Sequence, residues 1–282
     1  MKKTCLVITG LLVLLVVVSL LVTLFQKNIP LGSKLALVRI EGPIIDSKDT
    51  VDEIKEYAKD NSIKAIVLRV DSPGGAVAPS QEIYEEVKKA AAKKKVVVSM
   101  GSLAASGGYY ISAPATKIIA NPGTLTGSIG VIMEVPNVEG LMNKIGIKTE
   151  VIKSGKHKDI ASAFRTMKKE EREILQGVMD NVHEQFIKAV AEGRKIKLEE
   201  LRKIADGRVF TGEQAITYGL VDELGTLEDA IKTAADLAGL KEEPEVVSRK
   251  NKLSVFDLLR NKFPKEIADI FPTVKIKYLF SP

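Results

Sequence analysis

The sequence predicts an α/β fold, with a largely parallel sheet flanked by helices and one membrane-spanning helix ahead of it. Three observations carry this reading. Short runs rich in Val, Ile and Leu alternate with amphipathic stretches of helical period. Residues 4–25 carry no charge. The apolar runs end in turns such as DSPGG, and loops at the carboxyl ends of parallel strands are where sites gather.

The elements follow in chain order. TCLVITGLLVLLVVVSLLVTLF, residues 4–25, is long enough as a helix to span roughly 33 Å, which crosses a bilayer core. A cleaved signal peptide is the competing reading, since Lys2 and Lys3 precede the run. The run is longer than the about 7–15 residues of such a region, and VTLFQ lacks the small residues of a cleavage site. An uncleaved single-pass anchor in the cell membrane is expected, with the following domain on the extracytoplasmic side. A long domain crosses largely regardless of its charge. Residues 1–30 are therefore assigned to anchor and linker, 31–250 to the α/β domain and 251–282 to an apolar, basic tail.

Within the domain, LALVRIEGPI reads as a strand and DTVDEIKEYAKD as a helix with Asp at its cap. KAIVLRV is a buried strand, QEIYEEVKKAAAKK a helix and KVVVSM a third strand. TKIIANP and GSIGVIM add two more strands, VEGLMNKIG a helix and IKTEVIKSG another strand. From Lys168 to about Lys195 runs a long helix, in which Ile174, Val178, Val182, Phe186 and Val190 recur every four residues and predict one buried face. A shorter helical segment, RVFTGEQAITYGLVDELGT and the helix LEDAIKTAADLAG complete the domain. In the tail, TVKIKYLF reads as a strand packed on its own domain or on a neighbouring subunit. A membrane-surface contact is the competing reading.

Composition narrows the function. With 45% hydrophobic and 28% charged residues among 282, the chain can bury a sizeable core. No tryptophan and 5% aromatics make that core aliphatic. The net charge of +6 arises from lysines interleaved with glutamates on helix faces, and no basic run carries aromatics, so nucleic acid is not an expected partner. The single cysteine, Cys5, allows neither an internal disulfide nor a cysteine-based zinc site. His157 and His183 are not at metal-ligand spacing, and no metal or organic cofactor is expected.

The stretch GSLAASGGYYIS, residues 101–112, crowds small residues around Ser106. A strand leads into it and a brief helix is expected just beyond, ending before Pro114. That would expose the hydroxyl at a helix N-terminus, where free N–H groups favour developing negative charge. Locally, a tight packing turn explains the stretch as well as a nucleophile does. A serine also needs a base. Composition leaves open a triad through His157 and Asp159, although residues two apart on an extended chain share one face and orient each other poorly. A lysine whose pKa is lowered by burial is the alternative.

Taken in series, DSPGG, AASGGYYIS, ANPGTLTGSIGVI, KSGKHKDI and GRVFTGEQAITYGLVDELG resemble the signal peptide peptidase A family. The resemblance covers roughly residues 35–245 and implies a Clp protease/crotonase-like fold in a single-domain, membrane-anchored serine peptidase. It implies Ser106 as nucleophile and Lys158 as general base, with Lys156 the near-miss. It further implies an oxyanion hole from the N–H groups of Gly75 (Gly74 the alternative) and Gly107, with Ser128 orienting the lysine. The family precedent also gives no cofactor, apolar peptides such as signal peptide remnants as substrates, and a homo-oligomer in which the lysine acts within one subunit or across an interface. A related Ser-Lys protease acting on a specific membrane protein, an acyl-CoA enzyme of the same superfamily and a non-catalytic scaffold are the rival readings.

Overall fold

The structure is a computed structural model that describes Leu14, residues 34–240 and 244–249, and the backbone of 276–279. Leu14 excepted, the expected span 4–25 lies outside the described residues, as does most of the tail. Among the described residues no helix is long and apolar enough to cross a membrane.

Six strands form the backbone of the domain: β1 (Lys34–Glu41), β2 (Ile63–Ser72), β4 (Lys95–Ala105), β5 (Lys117–Ala120), β9 (Glu223–Leu224) and β10 (Glu245–Val247). They lie in the order β10-β1-β2-β4-β5-β9, with every neighbouring pair parallel. From β4 branches β6 (Leu125–Gly127), parallel to it and antiparallel to β8 (Val209–Thr211). A second, antiparallel sheet holds β3 (Gly74–Ala76), β11 (Ile276–Leu279) and β7 (Ile132–Met133), with β11 in the middle.

Successive residues of a strand point to opposite faces, so a sheet covered on both sides needs apolar residues at every position. β1 meets this requirement over Leu35–Val38 and at Ile40, with Arg39 exposed toward its end. Ala36, Val38 and Ile40 join the larger cluster, while Leu35 and Leu37 join a smaller one with Val67, Val97 and Ile119. The smaller cluster is closed by Ala230, Ala234 and Ala235, from the helix Leu227–Leu237. On the other face lie α1 (Lys48–Lys59), α2 (Val77–Ala91), α3 (Gly107–Ser112) and the C-terminal half of the helix Lys169–Arg194. Tyr84, Tyr110 and Phe186 join three of these helices, with successive ring centroids 4.9 Å apart. Tyr109 is fully buried and donates its hydroxyl to the Leu220 carbonyl at 2.9 Å.

The mixed α/β architecture and the order of most elements follow the sequence reading. Some details differ. The helix expected from DTVDEIKEYAKD with Asp at its cap starts at Lys48 with Ser47 as its N-cap, and Asp49 lies inside its first turn. IKTEVIKSG is irregular rather than a strand: it pairs with no described strand, and Ile152 is 97% exposed. GSIGVIM is broken, because residues 128–131 turn away between β6 and β7. The apolar stripe of Lys169–Arg194 is buried only toward its end. Phe186 and Val190 are covered, whereas Ile174 and Val178 are 42% and 40% exposed. That half of the helix runs past the sheet.

Candidate active site

KVVVSM extends further than expected, and β4 continues through GSLAA to Ala105. Ser106 is therefore delivered by the end of a central strand. Its backbone adopts φ 54° and ψ −118°, a conformation that costs energy for any residue with a Cβ. Its N–H donates to the Gly127 carbonyl at 2.9 Å, and its own carbonyl accepts from Tyr110 N at 2.8 Å. The expected exposure is not found: Ser106 is 1% exposed. Gly127 on one side and the first turn of α3, pressed against β3, on the other close round it.

Two glycines are fixed by close approach. A Cβ on Gly107 would sit 2.8 Å from Ser80 Oγ and 3.0 Å from Gly74 Cα. A Cβ on Gly75 would sit 2.0 Å from the Ile44 carbonyl oxygen. The Ile44 segment is strapped alongside by two bonds, Ile44 N to Gly74 O at 2.8 Å and Ala76 N to Ile44 O at 2.7 Å. As the first residue of α3, Gly107 has an N–H without an intrahelical acceptor. Ser106, Gly107 and the Gly74–Gly75 pair, expected from separate motifs, thus meet.

Ser128 lies one residue beyond the carbonyl that holds Ser106. It has φ 50°, is 7% exposed and donates its N–H to Arg208 O at 2.8 Å. It opens onto a cavity of about 400 Å³ lined also by Val131, Ile132, Met179 and His183. His183 Nε2 lies 3.1 Å from the Ile129 carbonyl, which ties the long helix to this turn.

Lys158 is placed differently. It is exposed, and among the described residues its Nζ makes no hydrogen bond or ion pair, with Ser106 and Ser128 included. Its neighbours are engaged elsewhere. Lys156 pairs with Glu170 at 2.6 Å, and His157 Nε2 is 3.5 Å from the same carboxylate. Asp159 bonds Arg165 Nε at 2.8 Å and also Lys153. A His157–Asp159 relay is therefore absent, and Lys156 is committed to a carboxylate, which leaves Lys158 the lysine of this motif with a free amine. Arg165 and its partner Glu171 have no counterpart in the sequence reading, since two residues six apart in an irregular stretch carry no periodic signal.

β11 was legible only as a strand, not by its seat. Lys277 lies opposite Ala76, Tyr278 opposite Gly75 and Leu279 opposite Gly74. On its other edge Ile276 faces Met133 and Lys277 faces Ile132. An extended segment of the chain itself thus runs between two strands toward the end of β3 that touches Gly107.

Comparison with known proteins bears on this arrangement. The model of peptidase family S49 matches residues 88–241, and that of Clp protease matches residues 43–125. A Synechocystis sp. protein named as a protease is 46% identical over 208 residues, covering 73% of this chain and 75% of its own length. Protease 4 of Salmonella typhi is 42% identical over 221 residues, 75% of this chain and 36% of that protein. An Enterococcus faecium protein named as signal peptide peptidase SppA is 38% identical over 180 residues, 64% of this chain and 52% of its own. A ClpP1 mutant from Listeria monocytogenes overlays with a TM-score of 0.47 at 21% identity, over 69% of this chain and 93% of that one.

Proposed function

The chain belongs to peptidase family S49, and from that membership we propose a membrane-anchored serine endopeptidase with a Ser106–Lys158 dyad that degrades cleaved signal peptides and other apolar peptides. The observation that carries a peptide as ligand is the seat of β11. A segment in extended conformation is held by main-chain pairing on both edges, antiparallel to Gly74–Ala76 and to Ile132–Met133. Main-chain pairing of this kind accepts many sequences, as a scavenger of peptide remnants requires.

In the reaction, the neutral amine of Lys158 takes the Ser106 proton as Oγ attacks the scissile carbonyl. The N–H groups of Gly107 and Gly75 receive the charge that develops on the carbonyl oxygen. The lysine ammonium then protonates the leaving amine, and the acyl-enzyme remains. Water, deprotonated by the same lysine, displaces Ser106 and releases the second fragment. Ser128, beside the carbonyl that fixes Ser106, accepts a hydrogen bond from the lysine amine and aims it.

Ser106 is buried and Lys158 is exposed, and the two are not bonded within one chain. The lysine arm and the leading half of the long helix also display Leu141, Ile145, Ile147, Ile152, Ile174 and Val178 to solvent. An apolar surface of this kind marks a protein contact. The reading is a homo-oligomer in which Lys158 of one subunit serves Ser106 of the next. Location at the cell membrane, with the domain on the extracytoplasmic side, rests on residues 4–25 of the sequence.

The test is a fluorophosphonate label together with hydrolysis of an apolar signal-sequence peptide by the full chain. Ser106 should be labelled, and both Ser106→Ala and Lys158→Ala should be inert. Mixing the two inactive proteins should restore turnover if the dyad crosses an interface. Full activity in Lys158→Ala, with loss in Lys156→Ala, would replace the base.

A further inference from the structure

We propose that Arg165 is the positioning residue of the general base, holding the segment that carries Lys158 to the buried Glu171; this rests on Lys158 being the base.

Arg165 spends its fork on one neighbour of Lys158 and one anchor. Nε donates to Asp159 Oδ2 at 2.8 Å and Nη2 to the Asp159 carbonyl at 3.1 Å. The other side grips Glu171, Nη1 to Oε2 at 2.8 Å and Nη2 to Oε1 at 2.6 Å. Nη1 also reaches the Thr166 carbonyl at 3.2 Å. Two carboxylates and two carbonyls therefore share one planar cation, a geometry that guanidinium meets and ammonium does not.

The anchor is solid. Glu171 is 2% exposed, sits in the first turn of Lys169–Arg194 and accepts the Lys168 N–H at 2.9 Å. Arg165 holds its carboxyl down to about 2, with the Lys168 N–H assisting. The same cation and Lys153 hold Asp159 well below the ordinary carboxylate range. The clamp is thus fully charged at any pH where a lysine could act as base.

What the clamp fixes is the residue after Lys158. On the other side Lys158 N closes a turn onto Gly155 O at 3.1 Å. The stretch around it lacks regular structure, and Val151, Ile152 and Phe164 face solvent. Without Arg165 the base would hang on such turns, on the link of Lys153 to Asp159 and on the exposed pairing of Lys156 and His157 with Glu170, none of which reaches a buried anchor. A general base loses most of its effect when it is misplaced by about an ångström.

The experiment is steady-state kinetics and fluorophosphonate labelling of the full-length oligomer, with melting temperature and assembly measured in parallel. Arg165→Met should lower kcat by about 10- to 100-fold while KM moves little. Arg165→Lys, able to meet only one carboxylate, should recover part of that loss. Labelling of Ser106, which also needs the base, should slow in step with kcat. Asp159→Asn keeps the size of the side chain and the carbonyl acceptor, and should show a smaller fall in kcat at an unchanged melting temperature. Free guanidinium at non-denaturing concentration should speed Arg165→Ala and leave Lys158→Ala untouched. If Lys158→Ala is inert while Arg165→Met and Asp159→Asn turn over at the wild-type rate, the clamp is not a positioning device and the base assignment survives. If Lys158→Ala is active, base and clamp fall together.

Discussion

Ser106 and Lys158 are reached by very different routes. Eleven residues of β4 lead to the serine with hydrogen-bonded strands on both sides, and its neighbours are pinned by backbone bonds and by glycines that cannot take a Cβ. The lysine lies in an arm with one six-residue helix, held by turns and by the Arg165 clamp. The contrast teaches where preorganisation comes from. In the proposed mechanism, the half of the site that binds an oxyanion to within a fraction of an ångström is written into the core. The half that would donate and accept a proton is carried on a surface element, and the proposed assembly completes it.

The sharpest way to break the comparison is to disable each half. Ser106→Ala should lower turnover by about a thousandfold or more and abolish labelling, yet leave the melting temperature unchanged. A drop in stability with retained turnover would show that Ser106 is a packing residue. Next in size is a pair chosen from the two regions. Phe186→Ala opens the core beneath α3 and should cost about 3–5 kcal/mol in chemical denaturation. Ile152→Asp, at a position 97% exposed, should leave the stability of the subunit alone but break the proposed assembly, visible in sedimentation. Equal melting losses from both would mean that the arm is packed like the core.

Removing residues 276–282 should have a smaller effect, a rise of a few-fold in apparent affinity for peptide. A tethered strand competes at a high effective concentration, about millimolar for a short link. An unchanged KM would mean that β11 and the substrate do not share a seat. pH acts on the clamp. Asp159 and Glu171 have lowered pKa values, so the stability they contribute is complete above the ordinary carboxylate range and is lost in acid, for Glu171 as pH falls toward about 2. The melting temperature should therefore stay flat through the neutral and alkaline range and fall only in acid. The smallest effect is Lys156→Ala. Its ion pair with Glu170 is exposed and is worth less than about 1 kcal/mol, and turnover should be near wild type.

The core was legible because its rules are local. β1, β2 and β4 read as strands, α2 and the helix at Leu227–Leu237 as helices, and the small residues crowded around Ser106 as a tight turn or a nucleophile. The arm misled for the same reason. IKTEVIKSG has the composition of a strand, but a strand also needs a partner, and none among the described residues is within reach of pairing. The stripe from Ile174 to Val190 was read as one buried face, because period alone does not say where a helix leaves its domain. The burial of Ser106 and the seat of β11 depend on residues distant in sequence, which no window along the chain brings together, whereas the grip of Arg165 spans only six residues on either side and stayed hidden because that stretch has no regular period.

The chain has no tryptophan, and Ile152 stands almost wholly in solvent on the arm. Together these make the protein optically silent above the tyrosine band, with one site ready for a probe. A lone tryptophan at position 152 would be the only indole in the molecule. Its emission would shift to the blue if the arm docks on a second copy as proposed, so that association could be timed separately from the labelling of Ser106.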